Sequence, residues 1–445
     1  MNAMTKTKYA VIGMGKTGVS CAEYLDQLGE SFLWFDTRDD VAGIDALQQR
    51  FPQVEFFTGV LDSAQLQRAA SLVVSPGVAI ATPAIKAAGE AGCELIGDIE
   101  LFARAINKPV VAITGSNAKS TVTTLVGEMA RACGYKVGVG GNIGLPVLEM
   151  LKQDAELDLY VLELSSFQLE TTHSLRPLAA TILNISDDHL DRYDNLAHYI
   201  TSKQRIYKNA QTCVVNRDDA ATFPAVDGAH MVHFGLTAPN HSDDAGLITS
   251  YDGEWFAVGD QQLLKATDTH LAGRHNQANI AACFAIAEAC GWDLETCARA
   301  VATFKGLRHR CEFVRELDGV RYYNDSKGTN IGATVAAING LAQGANVVLI
   351  AGGEGKGADF SQLEPVVDRA VKQLILIGRD AELINEACKG RAVMAVSLAD
   401  AVNKARELAR AGDVVLLSPA CASFDMFKGY DDRGLQFVDC VERLA

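Results

Sequence analysis

Eleven cysteines are scattered through 445 residues without a single C-x-x-C pair, and eleven is an odd number. Zinc ribbons and closed disulfide frameworks both lack their signature here, so a reducing cytoplasmic compartment is expected. Cys283, Cys290 and Cys297 recur every seven residues along a helical stretch, which reads as small buried side chains on one face. Positive charge is scarce too: 40 Lys and Arg stand against 55 Asp and Glu, a formal charge of −15. A nucleic-acid surface needs clustered cations to displace phosphate counterions, so the balance argues against that partner. It leaves room for a local basic pocket that takes a small anion. No apolar run is long enough to cross a bilayer, and no signal-peptide pattern opens the chain, so neither membrane insertion nor export is expected. Repeats, low-complexity tracts and charge blocks are missing as well.

What is present is an ordinary globular composition, 48% apolar and 21% charged. The length exceeds what one hydrophobic core organises, so two or three domains are expected. The pattern is α/β throughout. In the first part "KYAVIG" and "SFLWFDT" read as buried strands, "KTGVSCAEYLDQLG" as an amphipathic helix closed by Gly29, and "SLVVSPGV" as a strand ending in a Pro-Gly turn. A second α/β unit runs from "KPVVAITG" through "DLYVLELSS" and "AATILNISDDH" to the helix "NQANIAACFAIAEACG". A third follows "FKGLRHRCEFV", with strands "NVVLIAGG", "QLILIG" and "DVVLLSP". The expected domains are 1–98, 99–306 and 307–445.

Two glycine loops carry the chemistry. "GMGKTG", Gly13 to Gly18, fits G-x-G-x-x-G between a strand and a helix, and Asp36 ends the next strand. That is a dinucleotide fingerprint in which helix amides hold a diphosphate. Those amides do not tell NAD from UDP, and the glycines could also serve packing alone. The second loop, "ITGSNAKST", misses the usual G-x-x-x-x-G-K-[ST] form, because Ile113 and Ala118 stand where glycines belong. Its strand-to-helix setting still suits phosphate. Lys119 can reach terminal phosphates, and Ser120 or Thr121 can ligate Mg²⁺. Capping of the helix by Asn117 or Ser116 is the plainer alternative. Alanine at 118 is harmless at negative φ and costs on the order of 1–2 kcal/mol if the turn is left-handed.

Oxygen and imidazole ligands for such a metal are expected at neighbouring strand ends. Glu163 ends one strand, and Asp187, Asp188 and His189 follow another. Helical spacing puts Lys203 on the same inward stripe as Tyr199, Ile200, Ile206 and Tyr207. Pattern alone favours a lysine that snorkels past an apolar patch. The sharper alternative is a lysine that faces carboxylates and phosphates.

Together with "VSPGV", "GDIELFAR", "GGNIG", "LELSSFQLE", "DDHLDRY", "SKQRIY", "GRHNQAN", "LRHRCEF", "NDSKGTN" and "SPACASFDMFKGYDDRG", these stretches resemble the Mur ligases of peptidoglycan synthesis, in order along nearly the whole chain. The family's loop runs G-[ST]-N-G-K-[ST]-T, with its first glycine at Gly115, and only Ala118 departs from it. The resemblance implies three domains: an N-terminal Rossmann-like one, a central phosphate-loop one and a C-terminal Rossmann-like one that moves to close the site. It implies an ATP-dependent amide ligase acting on UDP-N-acetylmuramoyl-L-alanine, D-glutamate and ATP with Mg²⁺; the sequence leaves the oligomeric state open, and a monomer is expected.

Residue by residue, it implies that Gly13, Met14, Gly15, Lys16, Thr17, Asp36, Thr37, Arg38, Asn142 and His189 meet the UDP substrate. Gly115, Ser116, Asn117, Ala118, Lys119, Ser120, Thr121, Asn276, Asn279, Arg310 and Asp325 would hold ATP. Lys327, Thr329, Lys356, Ser423 and Tyr430 fall where the family holds D-glutamate. Ser120, Glu163, His189 and a carbamylated Lys203 would serve the metal. Lys119, Lys203 and Arg310 would act in catalysis, and His309 is a candidate base for the amine. An NAD-dependent dehydrogenase is a rival reading, but it leaves Lys119, Glu163 and His189 without a task. A sibling ligase, a folylpolyglutamate synthetase and a non-catalytic ATP-binding protein are the others.

Overall fold

The computed structural model describes residues 7–186, 192–225, 228–271 and 273–445. Asp187, Asp188 and His189, expected near the metal, lie outside the described residues. The chain builds three sheets. The first contains β1 (Thr7–Ile12), β2 (Phe32–Asp36), β3 (Glu55–Thr58), β4 (Ala69–Val74) and β5 (Glu94–Ile96), in the parallel order β3-β2-β1-β4-β5. Strand order reverses between β1 and β4, and ligands of such sheets bind outside the carboxyl ends at that point. The loop Gly13–Gly15 leaves β1 there and feeds the helix Lys16–Gln27.

The second sheet runs β14-β13-β12-β11-β10-β9-β6-β8-β7. Its strands are β6 (Val110–Thr114), β7 (Val137–Gly141), β8 (Leu159–Glu163), β9 (Ala179–Ile182), β10 (Thr212–Asn216), β11 (Met231–Phe234), β12 (Ala245–Ser250), β13 (Gly253–Val258) and β14 (Gln261–Lys265). β6 lies between β8 and β9, so three chain segments with polar ends emerge side by side. The third sheet holds β15 (Glu312–Leu317), β16 (Val320–Asn324), β17 (Val347–Gly352), β18 (Val371–Ile377), β19 (Val393–Met394) and β20 (Val414–Leu417), ordered β15-β16-β20-β17-β18-β19. β15 is antiparallel to β16; the rest are parallel.

Cores follow the buried faces of these strands. One apolar cluster joins the first and second sheets through Ile99, Phe102, Val110 and Tyr160, with the Phe102 and Tyr160 rings edge to face at 4.9 Å. The third sheet keeps two clusters of its own. All eleven cysteines are free, and Cys283 and Cys297 are fully buried. Among the described residues, no helix is long and apolar enough to cross a membrane.

Candidate active site

The first cleft, about 550 Å³, lies at the carboxyl end of the first sheet. Gly13, Gly15, Lys16, Thr17, Asp36, Thr37 and Arg38 line it, and across it stands Asn142 from the loop after β7. Gly18 fits because a Cβ there would meet the Gly13 carbonyl oxygen at 1.8 Å, while a Cβ at Gly15 would meet nothing and so leaves room for a ligand to approach. Met14 is buried, and its N–H donates to Asp36 Oδ2 at 2.7 Å. Arg38 grips the same carboxylate with both ends of its guanidinium, at 2.8 and 2.7 Å. Both Asp36 oxygens are therefore taken. The ribose contact expected in an NAD site has lost its acceptor.

The Arg38 hydrogen bonds hold the Asp36 pKa down to about 2. A depressed carboxylate contributes stability that is full above its unfolded pKa of about 4 and is lost as pH falls through about 2. Asp36→Asn is expected to flatten this acid limb in urea unfolding between pH 4 and 2. An unchanged limb would mean that the pair contributes nothing to folding.

The second site gathers on the loop after β6. Ala118 adopts φ +65°, ψ −2°, the left-handed geometry that glycine favours. Of the six other left-handed non-glycine residues among those described, His309, Cys311, Lys356 and Ala420 lie on the third domain's loops that carry or flank the expected ligands, and Asp318 and Lys389 do not. Strain of this kind collects at functional sites. For Ala118 it amounts to about 1–2 kcal/mol, against about 0.5–1 kcal/mol of extra chain freedom that glycine gives the unfolded state. Ala118→Gly is thus expected to raise stability by up to about 1 kcal/mol in urea titration. A loss of that size would show that the methyl group, packed against the central core, contributes more than the strain removes.

Lys119 folds back so that its ammonium donates to the carbonyls of Gly115 and Ser116, at 2.8 and 3.0 Å. Ser116 Oγ donates to the Ser186 carbonyl at 3.1 Å, and the Asn117 N–H donates to Asn184 Oδ1 at 2.8 Å, pinning the loop to the segment after β9. A cavity of about 340 Å³ opens beside it, between the central and third domains. Asn117, Ala118, Thr121, Asn276, Asn279, Arg310, Asp325 and Lys327 line it, so residues far apart in sequence share one wall. Arg310 crosses from the third domain and donates to Ser120 Oγ at 2.7 Å. Asp325 accepts from the Ser418 hydroxyl at 2.7 Å and the Cys311 N–H at 3.1 Å, and burial raises its pKa to about 6. Sequence reading missed Leu271, Leu307 and Ala336 on the apolar part of this wall; single apolar residues near loops carry no pattern that would have flagged them.

Glu163 and Lys203 meet the loop from beneath. Glu163 is 2% exposed; its Oε1 accepts from Asn142 Nδ2 at 2.9 Å, and its Oε2 is buried without a hydrogen-bond partner. A carboxylate oxygen left so, next to a phosphate loop, fits a cation. Lys203 is 1% exposed, which overturns the snorkelling expectation: its ammonium stays inside. It donates to the Gly115 carbonyl at 2.9 Å and Thr114 Oγ1 at 3.3 Å, and lies 4.7 Å from the centre of the Tyr199 ring. Tyr199, Ile206 and Tyr207 are buried with it, while Ile200 is half-buried.

Lys327, Thr329, Lys356 and Ser423 sit on loops at the carboxyl ends of the third sheet, and Tyr430 opens the helix Tyr430–Glu442. Lys327 lies 3.8 Å over the Tyr430 ring, and burial, helped by the nearby Arg310 charge, lowers its pKa to about 8. The Thr329 N–H donates to the Lys327 carbonyl. Lys356 is exposed and Ser423 is buried; paired hydrogen bonds between Glu354 and Ala422 tie their two loops together. Arg433, which sequence reading passed over inside "DDRG", is fully buried and holds the Ser326 and Cys421 carbonyls. His309 is held too: its Nδ1 lies 2.9 Å from Asn324 Nδ2, and burial lowers its pKa.

Comparison with known proteins adds to this geometry. Residues 7–97 match the family described as Mur ligase MurD-like, N-terminal domain; residues 113–287 match the Mur ligase middle domain; and residues 309–421 match the Mur ligase, glutamate ligase domain. The UDP-N-acetylmuramoylalanine–D-glutamate ligase of Pseudomonas fluorescens is 51% identical over 442 residues, 98% of both chains. The enzyme of that name from Legionella pneumophila is 46% identical over 449 residues, 99% of this chain and all of the relative. The fold is similar to the MurF ligase of Thermotoga maritima in complex with ADP, at a TM-score of 0.60 and 16% identity over all of this chain and 99% of that one. It is also similar to UDP-N-acetylmuramate-alanine ligase MurC of Thermotoga maritima, at 0.58 and 17%, covering 98% and 99%.

Proposed function

The chain belongs to the Mur ligase family, and from that premise we propose that it joins D-glutamate to UDP-N-acetylmuramoyl-L-alanine with cleavage of ATP to ADP and phosphate. One observation carries the reading beyond family membership. Asn142 lines the diphosphate cleft and also holds Glu163, the buried carboxylate beside the phosphate loop. A substrate anchored by UDP in the first domain thus extends toward the γ-phosphate of a nucleotide in the second.

The chemistry follows from the charges. The alanyl carboxylate attacks the γ-phosphorus, the bond to ADP breaks, and an acyl phosphate forms. The D-glutamate amine then attacks the acyl carbon, loses a proton, and expels phosphate. Both steps crowd anions together, and preorganised cations lower such barriers. Lys119 swings from the loop carbonyls to the phosphates. Arg310 supplies a second cation from the third domain. Lys327 and Tyr430, with Thr329, Lys356 and Ser423, receive the amino acid. Asn276 and Asn279 face the base of the nucleotide. Ser120, Glu163, His189 and a carbamylated Lys203 would hold Mg²⁺; the orphaned Glu163 oxygen fits this. When bound, Mg²⁺ supplies charge neutralisation of the phosphates. The enzyme is expected to work as a cytoplasmic monomer.

Phosphate release tests the reading. With ATP and Mg²⁺ present, release is expected only when both UDP-N-acetylmuramoyl-L-alanine and D-glutamate are added. Release with another amino acid in place of D-glutamate would move the assignment to a sibling ligase. Silence with every acceptor would overturn it.

A further inference from the structure

The first cleft holds one carboxylate that neither the diphosphate nor the metal explains. Asp98 opens the helix Asp98–Ala105 directly after β5, is 4% exposed, and lines the cleft with Lys16 and Asn142. Its Oδ2 accepts from Gln168 Nε2 at 3.2 Å, and its Oδ1 is buried with no partner of good geometry, the backbone N–H groups of Asp98 and Ile99 lying near the carboxylate. Burial raises its pKa to about 6. An anionic diphosphate is repelled by such a group, so a neutral part of the substrate belongs beside it.

Gln168 has no freedom to turn its amide round. Its Oε1 accepts the Ser165 N–H at 3.1 Å, while the Ser165 hydroxyl accepts the Gln168 N–H at 3.2 Å, a reciprocal cap on the helix Ser166–Glu170. Nε2 must therefore face Asp98, and an amide nitrogen has a second hydrogen to give. The two side chains come from different domains and offer one donor and one acceptor side by side in the cleft. A secondary amide, with its carbonyl oxygen and N–H, is the complement of that pair.

We propose that Asp98 and Gln168 recognise a secondary amide of the UDP-linked substrate, whose N–H donates to Asp98 Oδ1 and whose carbonyl accepts from Gln168 Nε2. The inference rests on the proposed UDP substrate, which carries two such amides: the acetamido group on its sugar and the lactoyl–alanine linkage. Asp98 is then a specificity residue. Asp98→Asn preserves shape, but the locked Gln168 takes the new carbonyl and turns an NH₂ toward the ligand, setting donor against donor.

The test measures calorimetric binding of UDP-N-acetylglucosamine and UDP-glucose to the full chain, wild type and Asp98→Asn, with steady-state kinetics and Tm for both proteins. The wild type is expected to favour the acetamido ligand by about tenfold or more, and the variant to lose that preference. KM for the UDP substrate should rise by about tenfold or more, with kcat, the KM values for ATP and D-glutamate, and Tm little changed. If the wild type does not distinguish the two sugar nucleotides and the variant still raises that KM, the recognised amide is the lactoyl–alanine one. An unchanged KM and preference overturns the inference, as does equal weakening of both ligands with a lowered Tm, which marks a structural role. Failure of the wild type to bind either UDP ligand overturns the UDP reading first, and this inference with it.

Discussion

Arg310→Ala is expected to slow phosphate release by about a thousandfold or more, the scale of removing an arginine that reaches a transferring phosphoryl group from another structural unit. The side chain donates to Ser120 Oγ at 2.7 Å, in the first turn of the helix that follows the phosphate loop. It leaves a short turn closed by the Arg310 N–H on the Leu307 carbonyl, and the next residue is fixed by Asp325. The guanidinium thus arrives with the third domain and departs with it. The first and central domains share a continuous apolar core. The third domain has separate cores and meets the central one through the Arg310–Ser120 hydrogen bond and through the packing of helix Ile331–Leu341 on helix Arg274–Ala289, with a close Gly273–Gly340 approach. Interfaces of this kind permit relative motion, whereas a shared core resists it. On the proposed reading, Arg310 would couple docking of the third domain to charge stabilisation. Binding of the UDP ligand, which touches only the first cleft, should be unaffected in the variant, and kcat should carry the loss. Arg310→Lys should recover only part of it, since a single ammonium lacks the planar fork. A loss of less than tenfold would remove Arg310 from catalysis.

Much of this site was legible in the sequence because glycine loops, strand ends and helix starts have local signatures. "GMGKTG" and "GSNAKST" each follow a buried strand and open a helix, so their place at a sheet's carboxyl edge follows from short-range pattern. The left-handed turn at Ala118 was legible as a possibility only, because alanine does not announce its φ. What local pattern misses is partnership. Nothing near Asp36 in sequence shows that Arg38 and Met14 consume its oxygens, and nothing near Asp98 points to Gln168, seventy positions away. The hairpins β12 to β14 also escaped notice, since their short, partly exposed segments give a weaker signal than the near-continuous apolar runs of the parallel strands. Lys203 was misjudged by pattern alone for a physical reason: a lysine on an apolar stripe normally sends its ammonium to water, and here the loop carbonyl of Gly115 and the Thr114 hydroxyl receive it inside.

That inward ammonium sets up the second large effect. Lys203→Arg is expected to lower phosphate release by about a hundredfold or more, the scale for a lost group that organises a metal or a developing charge. Two roles compete for a lysine 1% exposed at the base of a phosphate loop. As a plain cation it braces the Gly115 carbonyl and lies over Tyr199, and arginine would replace much of that. As a carbamate, formed when the neutral amine adds to CO₂ and releases a proton, it becomes an anion able to ligate Mg²⁺ beside Glu163, and arginine cannot follow. The discriminating measurement is bicarbonate dependence. Wild-type activity should fall in CO₂-depleted buffer and return when bicarbonate is added, while Lys203→Arg should stay low in both. Wild-type activity indifferent to bicarbonate, together with a variant close to wild type, would make Lys203 a brace for the loop and leave Mg²⁺ to Ser120, Glu163, His189 and the phosphates.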